Sequence, residues 1–390
     1  MNSRLVYLDH NATTPLHPLV KNSLIQELDS HFGNPSSIHW AGRKAKNLIR
    51  NARQNLSELF SVSPLELIFT SGASESNNTV IQTLFLNLKN RTEYICSAIE
   101  HPSVLKTMQH IESLGALVHR IPVSREGQLD LEFYQNVLSE KTALVSVMLA
   151  NNETGNLFPI KRMAEMAHEK GALFHTDAVQ GLGKIDVNLK DLGVDYASFS
   201  AHKFYALKGS GLLYCKKSSP QFPFLFGGAQ ERSRRGGTEN VLGIMTFGLM
   251  AKMKKEITEE SLRLEKLRDH MQQQILKLIP NTRVTGSSKN RLPNTLSLVI
   301  DGIDGETLLM NLDIKGFAVS TGAACSSGNP EPSPVLLAMG LSRAEAQGSL
   351  RVSLGWQNTE DEINDFIKEL VLSVQRLRLI DTEFQKDFEL

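Results

Sequence analysis

Cysteine is scarce in this 390-residue chain: there are three, Cys96, Cys215 and Cys325, far apart and without C-x-x-C spacing. Three thiols cannot all pair, so neither a disulfide frame nor a metal site is indicated, and a reducing compartment suits them. Charge of one sign is not in excess, with 42 Lys+Arg against 42 Asp+Glu, which removes the electrostatic footprint of a nucleic-acid or acidic-membrane binder. No uninterrupted apolar run approaches the ~20 residues of a membrane span. The opening stretch, Met1 to Asp9, has no long apolar core of a secretory leader. A cytoplasmic protein with no membrane or nucleic-acid partner is expected. There is no internal repeat and no low-complexity segment.

What the sequence does contain is alternation. Short apolar runs near 66–70, 94–99, 117–123, 143–149, 172–176, 195–200 and 211–215 read as strands. Helical patterns near 75–88, 102–114, 130–139 and 159–170 separate them. This predicts an α/β fold: a large domain with a mostly parallel seven-stranded sheet covered by helices on both faces. Before it, Ser36 to Phe60 reads as one long amphipathic helix with Ala41, Ala45, Leu48, Ala52, Leu56 and Leu59 on its apolar stripe. After it, 241–279 reads as helical with a charged run inside, and 281–390 as an α+β domain with strands near 295–300, 317–320 and 349–354 and a last helix over 360–378. The expected division is 15–255 for the large domain, with 1–14 and 256–390 forming a smaller one.

Three stretches carry chemistry. In Ser198 to Phe204 a histidine and a lysine, His202 and Lys203, follow a strand. A lysine at a buried strand end loses its proton more readily, and a neutral amine forms an imine with an aldehyde such as that of pyridoxal phosphate (PLP). Upstream, the strand Leu173 to Thr176 runs into Asp177, a carboxylate of the kind that holds a pyridine nitrogen protonated. Further upstream, Thr70 to Asn78 is a small-residue turn that opens a helix, with Ala73 and Ser74 at its start, and exposed N–H groups there suit a phosphate. That turn is neither G-x-x-x-x-G-K-[ST] nor G-x-G-x-x-G, so it gives no support to an NTPase or an NAD site. Singly, each stretch has an ordinary explanation: a lysine reaching water, an N-cap aspartate, a capped helix start. Their combination, in this order on one predicted parallel sheet, is what points to PLP, because ligands of such sheets bind beyond the strands' carboxyl ends.

The chain resembles the cysteine desulfurases, PLP enzymes of fold type I in the class V aminotransferase group, and is most similar to the NifS type. The resemblance runs nearly end to end, through Tyr7 to Pro15, Phe32 to Ser37, Thr70 to Ser76, Glu100 to Val104 and Asn151 to Gly155. It continues through Asp177 to Gln180, Ser200 to Lys203, Gly227 to Arg232, Arg235 to Asn240, Ser320 to Cys325 and Leu350 to Gly355.

The resemblance implies that Lys203 carries the cofactor, that His101 stacks on its ring and moves protons, and that Gln180 donates to its phenolic oxygen. It implies that Ser74, Ser200 and His202 hold the phosphate. It also implies that Thr238 reaches the phosphate of a neighbouring subunit, hence a homodimer. Arg351 in a buried strand offers a guanidinium fork for an α-carboxylate, and the resemblance gives it that task with Asn152. Cys325 lies in a Gly/Ser/Pro-rich stretch, read as an exposed loop, whereas Cys96 and Cys215 sit in apolar strands. The implied reaction takes sulfur from L-cysteine onto Cys325 as a persulfide, releases L-alanine, and passes the sulfur to an acceptor protein of iron–sulfur assembly or thiolation. Rival readings are a selenocysteine lyase or aminotransferase on the same fold, or a non-catalytic scaffold homologue. Three departures from the family pattern stand out. Tyr205 to Gly209 lacks the usual Gly-Pro, Trp356 stands where many relatives carry Arg, and the tail 381–390 does not resemble the housekeeping enzyme's docking tail.

Overall fold

The computed structural model describes residues 5–30, 32–321 and 331–388, with 257 and 380–388 as backbone only. In chain order the strands are β1 (Val6–Tyr7), β2 (Leu67–Thr70), β3 (Glu93–Ser97), β4 (Leu117–Ile121), β5 (Thr142–Ser146), β6 (Leu173–Asp177), β7 (Tyr196–Ser200), β8 (Gly211–Cys215), β9 (Thr282–Val284), β10 (Thr295–Ile300), β11 (Phe317–Ala318) and β12 (Ser349–Ser353).

Seven of them form the predicted sheet, in the order β2-β8-β7-β6-β5-β3-β4. β7, β6, β5, β3 and β4 pair in parallel, and β8 is antiparallel to both β7 and β2. Every residue of β2, β5, β7 and β8 is buried, which explains why these strands read as continuous rather than alternating runs. Two apolar layers flank the sheet. One is built around Phe60, Phe174, Phe199 and Phe247, with Phe60 stacked on Phe199 at 4.5 Å. The other contains Tyr94, Ile81, Met108 and Leu213.

After β3 the chain steps outward to β4, then returns to the other side of β3 as β5 and continues through β6 and β7. The strand order therefore reverses between β3 and β5. Crevices at such a reversal, beyond the carboxyl ends, are where open α/β sheets bind ligands. The turns after Thr70, Ser97, Ser146, Asp177 and Ser200 all open onto this edge.

A separate apolar cluster gathers Leu8, Met271, Leu298, Leu350 and Phe366. Its antiparallel sheet has the order β12-β10-β9, and β1 pairs in parallel with β11. The helices Lys254–Leu278 and Glu360–Phe388 belong to the same cluster.

Some element boundaries differ from expectation for local reasons. The long helix starts at Trp40, not Ser36, because Asn34 caps a turn: its Oδ1 accepts from the Ser36 N–H (2.9 Å) and its carbonyl from that of Ser37 (3.0 Å). Its buried stripe uses Ile49 and Phe60 where Leu48 and Leu59 were expected. The pattern over 241–279 is two helices, Val241–Met250 and Lys254–Leu278, joined by a 3₁₀ turn at Ala251–Met253.

Candidate active site

A cavity of about 470 Å³ opens at the carboxyl edge of the seven-stranded sheet. Lys203 enters it because β7 ends at Ser200 and the chain tightens into the 3₁₀ turn Ala201–Lys203. Its Nζ donates to the carbonyls of Asn11 (2.5 Å) and Ala12 (2.6 Å). Burial, helped by the Arg351 cation and opposed by Asp9 and Asp177, pulls the Lys203 pKa down to about 8. The turn that follows lacks Gly-Pro and is instead held by a left-handed Tyr205 (φ 57°), whose N–H donates to Thr14 Oγ1 at 2.8 Å. That backbone conformation costs a non-glycine residue roughly 1–2 kcal/mol.

Asp177 ends β6 and is buried. Its Oδ2 accepts from Asn77 Nδ2 (2.8 Å) and its Oδ1 from the Val179 N–H (3.1 Å). His101 caps the helix Pro102–Ser113, its Nδ1 accepting from the Ser103 N–H at 3.1 Å, and its ring lies open on the cavity wall. Burial lowers its pKa, with Asp177 opposing and Lys203 reinforcing.

Anion-binding groups line the same cavity. The helix Ala73–Asn87 starts at Gly72 with no side chain capping it, so its first N–H groups keep their capacity to donate. Ala73, Ser74, Ser200 and His202 surround that start. His202 bonds Thr13 Oγ1 through Nδ1 (3.0 Å), and burial with Lys203 and Lys208 nearby lowers its pKa to about 4. A half-buried lysine amine, an uncapped helix start with hydroxyls and the buried carboxylate of Asp177 form a set of groups that fits PLP.

The remaining wall comes from farther along the chain. Asn152 follows β5, and Arg351 projects from β12. Arg351 donates to Asp9 Oδ1 (2.7 Å) and to the Asn152 carbonyl (3.1 Å). Gln180 donates from Nε2 to the Asn11 carbonyl (3.0 Å), and its Oε1 accepts from the buried Lys184, which also reaches Asn11 Oδ1 (2.9 Å). The cavity thus gathers Ala73, Ser74, His101, Asn152, Asp177, Gln180, Ser200, His202, Lys203 and Arg351.

Thr238 is not among them. It is exposed and lines a different, smaller cavity with Arg235 and Glu231. Cys325 lies outside the described residues, but Ser320 and Pro334, on either side of its segment, both line the large cavity. Trp356 is not at the cavity; its ring packs on His17 at 5.3 Å.

The structure adds residues that sequence reasoning left without a task. Asn11 and Asp9 sit in the quoted stretch Tyr7 to Pro15, but their partners lie far along the chain. Glu100, beside His101, is buried in the wall and its pKa is pushed up to about 8 by burial, Ser97 and Met148 opposing. Glu153 is likewise pushed up to about 7, although Ser333 donates to it.

The model of the aminotransferase class-V family matches residues 6–366, and the chain belongs to that family. Within it, the chain is 41% identical to a cysteine desulfurase of Enterobacter agglomerans over 98% of its own length and 96% of the relative's. It is 41% identical to the cysteine desulfurase NifS of Azotobacter vinelandii, over 96% of this chain and 93% of that one. Among solved structures, a NifS-like protein superimposes with a TM-score of 0.90 at 37% identity, covering 95% of this chain and all of that one (100%).

Proposed function

We propose that this chain is a PLP-dependent cysteine desulfurase that takes sulfur from L-cysteine onto Cys325 and hands it to an acceptor protein. One observation supports this above others: a half-buried lysine amine with its pKa near 8, a buried aspartate and an arginine fork share one cavity.

PLP, when bound, supplies the electron sink for a substrate held at its aldehyde carbon. Lys203 would hold it covalently and, once displaced, carry the substrate's α-proton on Nζ. Asp177 would keep the ring nitrogen protonated. His101 would cover the ring, Gln180 would donate to the phenolic oxygen, and Ala73, Ser74, Ser200 and His202 would hold the phosphate. Arg351 and Asn152 would fix the substrate carboxylate. The Cys325 thiolate then attacks the substrate sulfur. The carbon–sulfur bond breaks with its electron pair left on carbon, a proton completes the methyl group of alanine, and the sulfur remains on Cys325 as a persulfide.

Thr238 would complete the phosphate site of a second copy, which fits its exposure away from its own chain's cavity and makes the working unit a homodimer. A division into a large unit, 15–255, and a smaller one, 1–14 with 256–390, is supported in part by two apolar clusters, although Val335, Leu336, Met339, Leu341 and Ala346 of the second range pack into the larger cluster. The buried free thiols Cys96 and Cys215 suit a reducing cytoplasm. Among the described residues no helix is long and apolar enough to cross a membrane.

The test is alanine and sulfide release from L-cysteine with PLP and reductant, wild type beside Cys325→Ser. Equal amounts of both products from the wild type and neither from the variant are expected. Equal turnover by both proteins would overturn the persulfide role and favour a lyase or an aminotransferase. Lys203→Ala should stop all chemistry.

A further inference from the structure

Asn77, near the start of the helix Ala73–Asn87, is fully buried, and both hydrogens of its side-chain amide are committed. One reaches Asp177 Oδ2 (2.8 Å) and the other Ser103 Oγ (2.8 Å). A carboxylate only accepts, so the amide nitrogen must face Asp177, and Asn77 Oδ1 is left buried with no hydrogen-bond partner. Such an orphan costs about 1–3 kcal/mol. A side chain with a single N–H would not bridge the two acceptors.

The Ser103 hydroxyl accepts from Asn77 and has its own proton to give. Its neighbour is His101 Nδ1, 2.8 Å away, and the Ser103 backbone N–H points at the same nitrogen from 3.1 Å. Nδ1 is therefore an acceptor twice over, which leaves the proton of neutral His101 on Nε2.

We propose that Asn77 is a positioning residue which, through Ser103, ties the orientation of the Asp177 carboxylate to the tautomer of His101. The two groups then meet a bound cofactor as a matched pair: an acceptor at Asp177 and a neutral ring bearing Nε2–H. This deepens the reading of the cavity as a PLP site and rests on it. The charged groups facing His101 are Asp177, from β6, which favours a charged ring, and Lys203, after β7, which opposes it. Adding a proton at Nδ1 would require both Ser103 bonds to be given up.

The experiment is ¹⁵N-histidine NMR of the PLP-loaded protein as a function of pH, with His101 assigned by its loss in His101→Gln. In the wild type, His101 should carry its proton on Nε2 across neutral pH. In Asn77→Ala the freed Ser103 hydroxyl can turn and accept, and in Ser103→Ala the hydroxyl is gone. Each leaves the residue-103 backbone N–H as the one remaining donor to Nδ1, so each should admit the other tautomer in part and raise the His101 midpoint by roughly 0.5–1 pH unit. The double variant should shift no further than either single one. Ser103→Ala removes one half-buried hydroxyl and serves if Asn77→Ala does not fold. A proton on Nδ1 in the wild type, or unchanged tautomer and midpoint in the variants, would overturn the relay. Loss of the cofactor reading has a different sign: the wild type would develop no visible absorbance with PLP, while the tautomer measured in the same sample would still decide the relay.

Discussion

Arg351 Nη2 lies 2.7 Å from Asp9 Oδ1, so the guanidinium in the cavity is anchored by a carboxylate from the segment after β1. Nη1 bonds the Asn152 carbonyl, and Nε is buried without a partner. The fork is thus oriented from one side and keeps donors for a substrate carboxylate. Asp9→Asn should raise the KM for L-cysteine about tenfold or more, and Arg351→Lys should do so without restoring the fork. Steady-state kinetics would check both, and an unchanged KM would remove Arg351 from substrate binding.

Capture of PLP should follow the neutral fraction of Lys203. With the pKa pulled down to about 8, the rate of cofactor uptake by the unloaded protein should rise as the pH climbs through 8 and then level. Arg351 is one of the causes of that lowering, so Arg351→Met should move the midpoint upward. Stopped-flow absorbance reads this directly; a midpoint at or above 10 in the wild type would contradict it.

Glu153 predicts a pH dependence of stability. Its carboxyl keeps its proton in the folded chain up to about pH 7, against an ordinary value of 4.5. Between these values the native state binds more protons than the unfolded one, so stability falls as the pH rises from 4.5 to 7. The contribution is up to ~3 kcal/mol. Glu100 acts with the same sign to about pH 8, so the comparison must be made against Glu153→Gln. The variant should lose part of the slope in denaturant titrations, and identical slopes would show that Glu153 is ionised throughout.

Gly355 allows His10 to be buried. A Cβ at Gly355 would lie 2.0 Å from His10 Cε1, and the imidazole is fully enclosed with neither nitrogen hydrogen-bonded. Burial lowers the His10 pKa to about 3, so the ring is neutral. Gly355→Ala should destabilise the fold by about 1–3 kcal/mol through overpacking, seen as a lower unfolding midpoint. His10→Ala in the same chain should recover part of that loss.

The strands of the large sheet were legible because all but the edge strand β4 are short, mostly buried runs closed by a polar turn. Asp177, Lys203, His101 and Ser74 were legible for the same reason: Asp177 closes such a run, and the other three follow the end of one within four residues. Asn77 was not, since its partner Asp177 is 100 residues away and nothing local distinguishes it from an ordinary helix asparagine. Asp9 was hidden likewise, 342 positions from Arg351. The start of the long helix at Trp40 depended on one asparagine turn, and its stripe slipped by a residue because Ile49 and Leu48 fit a helical period about equally well. Thr238 shows a limit of another kind: its expected partner is on a second copy, which no single-chain pattern encodes.

Asn11 has a consequence for the order in which the protein is made. It accepts from Lys203 and Gln180 at its carbonyl and from Lys184 at its amide oxygen, while its own N–H groups donate to Thr295 and Ser353. A ribosome delivers residue 11 early and residue 353 near the end. The large sheet is fully synthesised by Cys215, well before β10 and β12 emerge. A nascent chain can therefore bury its central core while the lysine's surroundings are still incomplete, and the cavity closes only when the two extremes of the polypeptide meet. Completion of the cavity wall by Arg351 is in this sense a late event of biosynthesis, separated in time from the folding of the sheet that carries the lysine.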